Sequence, residues 1–185
     1  MKTRKFALIA CLLCAVLLAL FFVLHDKGRA PSAGEGSCGK NLSWKLEQGT
    51  LTISGTGSMD NYSEVHRTKY GGQPDSASIG TNSPWDLEDI KHVVVQDGVT
   101  SIGYCAFSGH PELLSVRLPD TVTRIGTLAF HNCAALKDLN LPDSVERIGK
   151  DAFQNCLDLK SVTVGRGSFA EQYCKENGLE CRYEE

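Results

Sequence analysis

A block of twenty-three residues that recurs without a gap restricts this chain more than any other feature. Residues 90–112 read IKHVVVQDGVTSIGYCAFSGHPE, residues 113–135 read LLSVRLPDTVTRIGTLAFHNCAA and residues 136–158 read LKDLNLPDSVERIGKDAFQNCLD. A fourth block opens at Leu159 as LKSVTVGRGS and then changes character. Self-similarity at one period is the mark of a chain that stacks equal units, each touching only its neighbours.

The repeated positions say what a unit does. Ile90, Leu113, Leu136 and Leu159 open the blocks, and apolar residues return three and five places later as Val93/Val95, Val116/Leu118, Leu139/Leu141 and Val162/Val164. That alternation predicts a short strand with one buried face. Pro119 and Pro142 follow and end it, because proline has no N–H to give to a ladder. Val99, Val122 and Val145, then Ile102-Gly103, Ile125-Gly126 and Ile148-Gly149, predict a second extended segment closed by a turn glycine. Ala106-Phe107, Ala129-Phe130 and Ala152-Phe153 complete the circuit, expected as a single helical turn. One block has too few large apolar side chains to offset the ordering of its backbone, so blocks must share a core.

The pattern L-x-x-V-x-L-P-D-x-V-x-x-I-G-x-x-A-F-x-x-C resembles the BspA-type (Treponema pallidum-type) leucine-rich repeat family of bacterial surface proteins, over about Cys38 to Arg182. The first block departs from it, with His110 where Cys133 and Cys156 stand and Gln96-Asp97-Gly98 in place of Pro-Asp-Thr/Ser, as suits an end repeat. The expected fold is a mainly β repeat solenoid, a short leucine-rich-repeat stack with a cap at each end, preceded by one N-terminal hydrophobic helix. The resemblance also implies a function in attachment to host or neighbouring-cell proteins.

Stacked cores end in apolar faces that need covering. Upstream, residues 42–46 and 50–54 alternate apolar with polar around Gln48-Gly49 and read as a β-hairpin, with Leu42, Trp44, Leu46, Leu51 and Ile53 set to cover the first repeat and Trp85 at the same seam. Downstream, Ser168 is placed to cap a helix from Phe169 to about Asn177, with Phe169, Tyr173 and Cys174 on one face. Gly178 would end it and residues 179–182 return as a strand. Between hairpin and repeats, residues 61–82 are rich in Gly, Ser, Asp and Asn, carry Tyr62, His66 and Tyr70, and are expected as a mobile loop, either a plain insertion or a ligand contact. The resulting division is residues 1–33 as anchor or signal with a linker, 34–60 as hairpin cap, 61–89 as loop and approach, and 90–185 as repeats with the C-terminal cap.

The chain opens with Lys2, Arg4 and Lys5, and from Phe6 to Leu24 it carries no charge, proline or glycine. As a helix that run would be roughly 28 Å long, close to a bilayer's hydrocarbon core. It is longer than a usual cleaved signal, and the nearest small-residue site, around Ala30 to Ala33, lies beyond charges and contains Pro31. An uncleaved anchor with a cytoplasmic N-terminus is expected, a removed signal peptide being the alternative. Leu8-Ile9-Ala10-Cys11 has the form of a lipidation box, but only Phe6 and Ala7 precede it as apolar residues. Either way the folded part would be exported, to the cell surface or beyond.

A net charge of −3 with mixed signs argues against nucleic acid as a partner. No histidine lies in an H-E-x-x-H or C-x-x-C context, Gly55-Thr56-Gly57 lacks the lysine and helix of a phosphate loop, and no Ser, His and Asp grouping emerges. No metal, cofactor or catalytic residue is therefore expected. Cys133 and Cys156, one repeat apart and of inward phase, are expected as buried thiols, whereas Cys174 and Cys181 are the better candidates for a disulfide. Binding, to a protein ligand, would use the outward strand positions His92, Val94, Ser115, Arg117, Asp138, Asn140, Ser161 and Thr163. The function so read is a surface-displayed binding or adhesion module, with a scaffolding part in the cell envelope as the alternative. An exported enzyme is the remote one.

Overall fold

Each block closes one rung of a β-solenoid, and four such turns stack. The computed structural model describes residues 33–68, 74–86 and 88–183. The apolar run from Phe6 to Leu24, expected as a helix and anchor, lies outside them. Among the described residues no helix is long and apolar enough to cross a membrane.

The first side of every rung is a strand: β7 (His92–Val95), β9 (Ser115–Arg117), β11 (Asp138–Leu141) and β13 (Ser161–Val164). They pair in parallel with equivalent residues opposite, Val93 on Val116 and Val116 on Leu139. The inward residues Val93, Val116, Leu139 and Val162 are fully buried, so the alternation seen in the sequence sets the faces. The second side is narrower: β8 (Val99–Ile102), β10 (Arg124–Ile125) and β12 (Arg147–Ile148) join β4 (Gly57–Ser58) in the order β12-β10-β8-β4.

Two local expectations change on these rungs. The glycines after the isoleucines do not serve a left-handed turn, since Gly103, Gly126 and Gly149 are absent from the positive-φ positions. They permit close stacking: a Cβ on Gly126 would lie 2.7 Å from the carbonyl carbon and oxygen of Gly103 and the amide nitrogen of Tyr104. The segment around Ala-Phe is also not a helical turn. Cys105, Leu128 and Asp151 take φ near 55°, and Gly109, Asn132 and Asn155 somewhat larger positive values, so alternate amides point along the stack. Phe107 donates to Ala129 O (2.7 Å), Gly109 to His131 O (2.8 Å), Leu128 to Lys150 O (3.1 Å) and Phe130 to Ala152 O (2.8 Å). Bonds that a helix would keep within the segment are spent between rungs.

Aromatic side chains run through this stack as a second ladder. Trp85, Phe107, Phe130 and Phe153 lie face to face with centroids 5.5, 5.1 and 5.3 Å apart. Trp44 and Tyr62 meet Trp85 edge-on at the upper end, and Tyr173 meets Phe153 edge-on at the lower. Edge-to-face contacts suit the ends, where the ladder must turn toward the caps.

The N-terminal cap has one strand more than expected. β1 (Gly34–Gly39), β2 (Leu42–Glu47) and β3 (Thr50–Gly55) form an antiparallel meander, and β3 pairs in parallel with β7, extending the main sheet. Glycine-rich β1 gives no alternation to read, yet its glycines have a purpose: a Cβ on Gly36 would meet the Trp44 indole nitrogen at 2.8 Å. Leu42, Leu46, Leu51 and Ile53 are buried as expected.

Residues 61–82 are not a loop throughout. Asn61 and Tyr62 belong to the stack, Asn61 Oδ1 accepting from Tyr104 N (2.8 Å) and Tyr62 N donating to Tyr104 O (2.9 Å). Beyond them β5 (Glu64–Thr68) and β6 (Pro74–Thr81) pair antiparallel, pinned by Ser63 N on Asn82 Oδ1 (2.7 Å). The sequence there lacks apolar alternation, so main-chain pairing left no period-2 signature.

The C-terminal cap is α1 (Phe169–Glu176) followed by β14 (Glu180–Arg182), which pairs in parallel with β13. Ser168 Oγ accepts from Glu171 N at 3.1 Å, capping the helix N-terminus. At the other end Gly178 is left-handed, Leu179 N donates to Cys174 O (2.9 Å) and Gly178 N to Lys175 O (3.4 Å), the paired bonds of a Schellman motif. Ala170 and Cys174 are buried; Phe169, expected on the inner face, is 42% exposed. It stands one residue off the line of Ala170 and Cys174, which the helix turns to the core.

Glu171 ties this cap together. Lys175 Nζ (2.8 Å), the Tyr183 hydroxyl (2.7 Å) and Gly167 N (2.8 Å), in that order of effect, hold its carboxyl down to about 2 from an ordinary 4.5. A depressed carboxyl stabilises the fold above the ordinary value and ceases to as pH falls through the depressed one. The cap should therefore hold to about pH 4.5 and loosen toward pH 2. Following the Glu171 carboxyl resonance together with the thermal midpoint checks this; titration near 4.5 would sink it.

Candidate functional site

Outward side chains of the main sheet form two columns because its strands from β3 to β14 are parallel and in register. Its order is β1-β2-β3-β7-β9-β11-β13-β14 among the described residues. His92 lies opposite Ser115 and Ser115 opposite Asp138; Val94 lies opposite Arg117 and Asn140 opposite Thr163. Ser161 and Thr163 lie opposite Glu180 and Arg182. All eight residues named from the alternation are half-buried or exposed, and Val94, Arg117, Asn140 and Thr163 each lie between two buried neighbours.

The structure adds four members that the repeat pattern did not mark. Thr50 and Thr52 continue the columns above His92 and Val94, and Glu180 and Arg182 continue them below Ser161 and Thr163. They come from the caps, whose register with the repeats is a tertiary fact. A strand reading placed β3 and β14 but not their neighbours.

The eight side chains differ in how free they are. Asn140 is committed to the fold: its Oδ1 accepts from Leu118 N (3.0 Å) and its Nδ2 donates to Leu118 O (2.9 Å). That amide stands in for main chain where Pro119 interrupts the ladder. His92 Nδ1 and Ser115 Oγ are 2.7 Å apart across one rung. Asp138, the nearest acid expected for Arg117, lies instead 3.7 Å from Arg182, in an exposed pair of the kind worth about 0–1 kcal/mol. Arg117 makes no side-chain hydrogen bond or ion pair with any described residue, and it is exposed.

Arg117 also has a concavity beside it. Val94, Arg117, Leu118, Asp138, Asn140 and Thr163 line a shallow depression of about 340 Å³. A second of about 530 Å³ lies at the strand ends, where Asp120, Asp143, Arg166 and Tyr183 meet and Arg166 sits 4.0 Å over the Tyr183 ring. Both are open and contain charges of both signs, which suits a polypeptide surface better than an enclosed small molecule.

The thiols serve the core. Cys133 Sγ donates to Phe107 O (3.1 Å) and Cys156 Sγ to Phe130 O (3.2 Å), each reaching back one rung. Burial pushes the Cys156 thiol up to about 11 and that of Cys133 well above its ordinary value, so neither is a ready nucleophile. His110, at the equivalent place on the first rung, is buried too. Among the described residues no three His, Cys, Asp or Glu side chains are grouped to hold a metal ion.

Comparison with known proteins gives a consistent picture. A family model described as "BspA type Leucine rich repeat region (6 copies)" matches residues 77–176. No curated protein matches the chain. Among solved structures it is similar to a leucine-rich repeat protein from Eubacterium ventriosum, at 22% identity over 73% of this chain and 45% of that one, TM-score 0.44. A leucine-rich repeat protein from Bacteroides capillosus shows 26% identity over 70% and 99%, TM-score 0.42. A leucine rich cell surface protein from Faecalibacterium prausnitzii shows 26% over 76% and 38%, TM-score 0.41. The chain thus spans less than half the length of the first and third of these.

Proposed function

Because the chain belongs to the BspA-type leucine-rich repeat family, we propose that it is a surface-displayed module that binds protein through the outward columns of its main sheet. The observation that carries the proposal is Arg117. A guanidinium without a counter-charge among the described residues, set at a shallow depression on a rigid parallel sheet, offers a planar fork of donors to a partner's carboxylate. Val94 beside it supplies apolar contact, and Ser115, Ser161 and Thr163 supply adaptable polar contact on the same face.

Display follows from the start of the sequence: the run from Phe6 to Leu24 is the proposed anchor, leaving the solenoid outside the cytoplasmic membrane. Four rungs make a small face, so attachment to a host or neighbouring-cell protein would draw strength from many copies on one surface. Adhesion of this kind asks for modest single-site affinity.

The test is a capture of binding partners by the full chain from host-matrix and envelope extracts, followed by titration of the partner with wild type and Arg117→Ala. The arginine is exposed, so the variant should unfold like wild type, and affinity should fall about tenfold or more as a charged hydrogen bond is lost. An unchanged affinity at low and moderate salt removes Arg117 from the site. Asn140→Ala is unsuitable as a probe, since it would strip Leu118 of both its partners.

A further inference from the structure

We infer that Cys174 and Cys181 are the site of an intrachain disulfide that staples the last helix of the solenoid to its last strand. The geometry comes from the end of α1. The Schellman bonds at Cys174 O and Lys175 O, with Gly178 left-handed, reverse the chain within two residues. Leu179 then leads into β14, whose Cys181 is held opposite Val162 by the β13 ladder. Cys181 Sγ is thereby placed beneath the helix, 3.9 Å from Glu171 O, which lies one turn from the buried Cys174 of the same helix, and both thiols are free.

Among the described residues, Cys133 and Cys156 lack this arrangement. Each is turned to a phenylalanine carbonyl of the rung before, and both belong to the shared core. Cys174 and Cys181 join the solenoid's terminal elements, where stability is lowest and a covalent tie has most to hold.

Exposure sets the order of events. Cys174 is fully buried, and burial pushes its thiol up to about 12, whereas Cys181 is partly open. The Cys181 thiolate attacks the S–S bond of a low-molecular-weight disulfide such as oxidised glutathione, forming a mixed disulfide and releasing one thiolate. Cys174 gives up its proton as it attacks the Cys181 sulfur, an intramolecular step in which proximity offsets its raised pKa; the protein disulfide forms and the second thiolate leaves. Two cysteine thiols have lost two protons and two electrons, and the external disulfide has become two thiols. An oxidising, extracytoplasmic setting supports this exchange, but the chemistry does not depend on what the sheet binds.

The full chain, reduced and held in detergent, is exposed to oxidised glutathione; aliquots are quenched by alkylation and their peptides mapped without reduction. The expected product is a 174–181 cross-link short of two hydrogens, preceded by a transient glutathione adduct on Cys181. Reducing it should lower the thermal midpoint by about 5–10 °C, as for a short closed loop. Both thiols alkylated at equilibrium, a lasting adduct on Cys181, or a Cys133–Cys156 cross-link in its place would each overturn the inference. Cys181→Ser should lose adduct and cross-link together; the mapping of wild type stands even where that variant folds poorly. No ligand enters the measurement, so a failed capture experiment leaves it untouched.

Discussion

Replacing Phe130 by alanine is expected to lower stability by about 3–5 kcal/mol, the cost of deleting a fully buried aromatic ring and leaving its space empty. The ring lies between Phe107 and Phe153, 13° and 2° from parallel, so both neighbours lose a stacking face at once. Little can collapse into the gap, because the rings on either side belong to backbones held apart at a fixed spacing by bonds from rung to rung. Denaturant unfolding measures the loss as a lower midpoint at unchanged slope. Phe169→Ala is the matched control: that ring is 42% exposed, and its removal should change stability by less than about 0.5 kcal/mol. A Phe130 loss below about 1 kcal/mol would mean the aromatic ladder does not hold the rungs together.

Gly126→Ala should be nearly as damaging, at about 3 kcal/mol, and its sign discriminates between two purposes for the glycine. At an ordinary φ, alanine in place of glycine stabilises a protein by about 0.4–1 kcal/mol, by stiffening the unfolded chain. Here the added methyl would sit 2.7 Å from main-chain atoms of Gly103 and Tyr104, which cannot swing aside as a side chain can. Separating the rungs to admit it would stretch bonds such as Gly126 N to Ile102 O, now 3.0 Å. Urea midpoints for wild type and variant decide the matter; equal or greater stability in the variant would show that the rungs are not in contact at this point.

These two residues also show how far the sequence could be read. Phe130 was legible, because burial at a fixed period writes itself into residue type. The alternation around Val116 likewise fixed which side chains of β9 and β11 face outward. Gly126 was legible as a glycine with a purpose but not as to which: turn and close approach both select it, and only the neighbouring rung tells them apart. The Ala-Phe segment looked helical in isolation, since the left-handed angles of Leu128 and Asn132 are imposed by carbonyls on the next rung. Trp85 fell outside the pattern because it stands one residue out of step with the period, yet it heads the same aromatic stack. At the candidate site the columns were readable, but the partners were not. Asn140 bound to Leu118 and Asp138 turned to Arg182 depend on side-chain reach across strands, which no spacing encodes.

The in-register ladders carry a consequence for how such a chain can change its length. Deleting or inserting one residue within a rung would move valines off Val116's line and phenylalanines off Phe130's in everything that follows, so that path is closed. Removing or copying a whole block keeps each carbonyl facing an amide, because one rung ends with the same donors and acceptors as the last. Growth is therefore quantised: the chain can gain or lose reach one storey at a time, under unchanged roofs at both ends. Each added storey would carry two new outward side chains under almost no constraint from the core, giving selection fresh surface on an inherited frame.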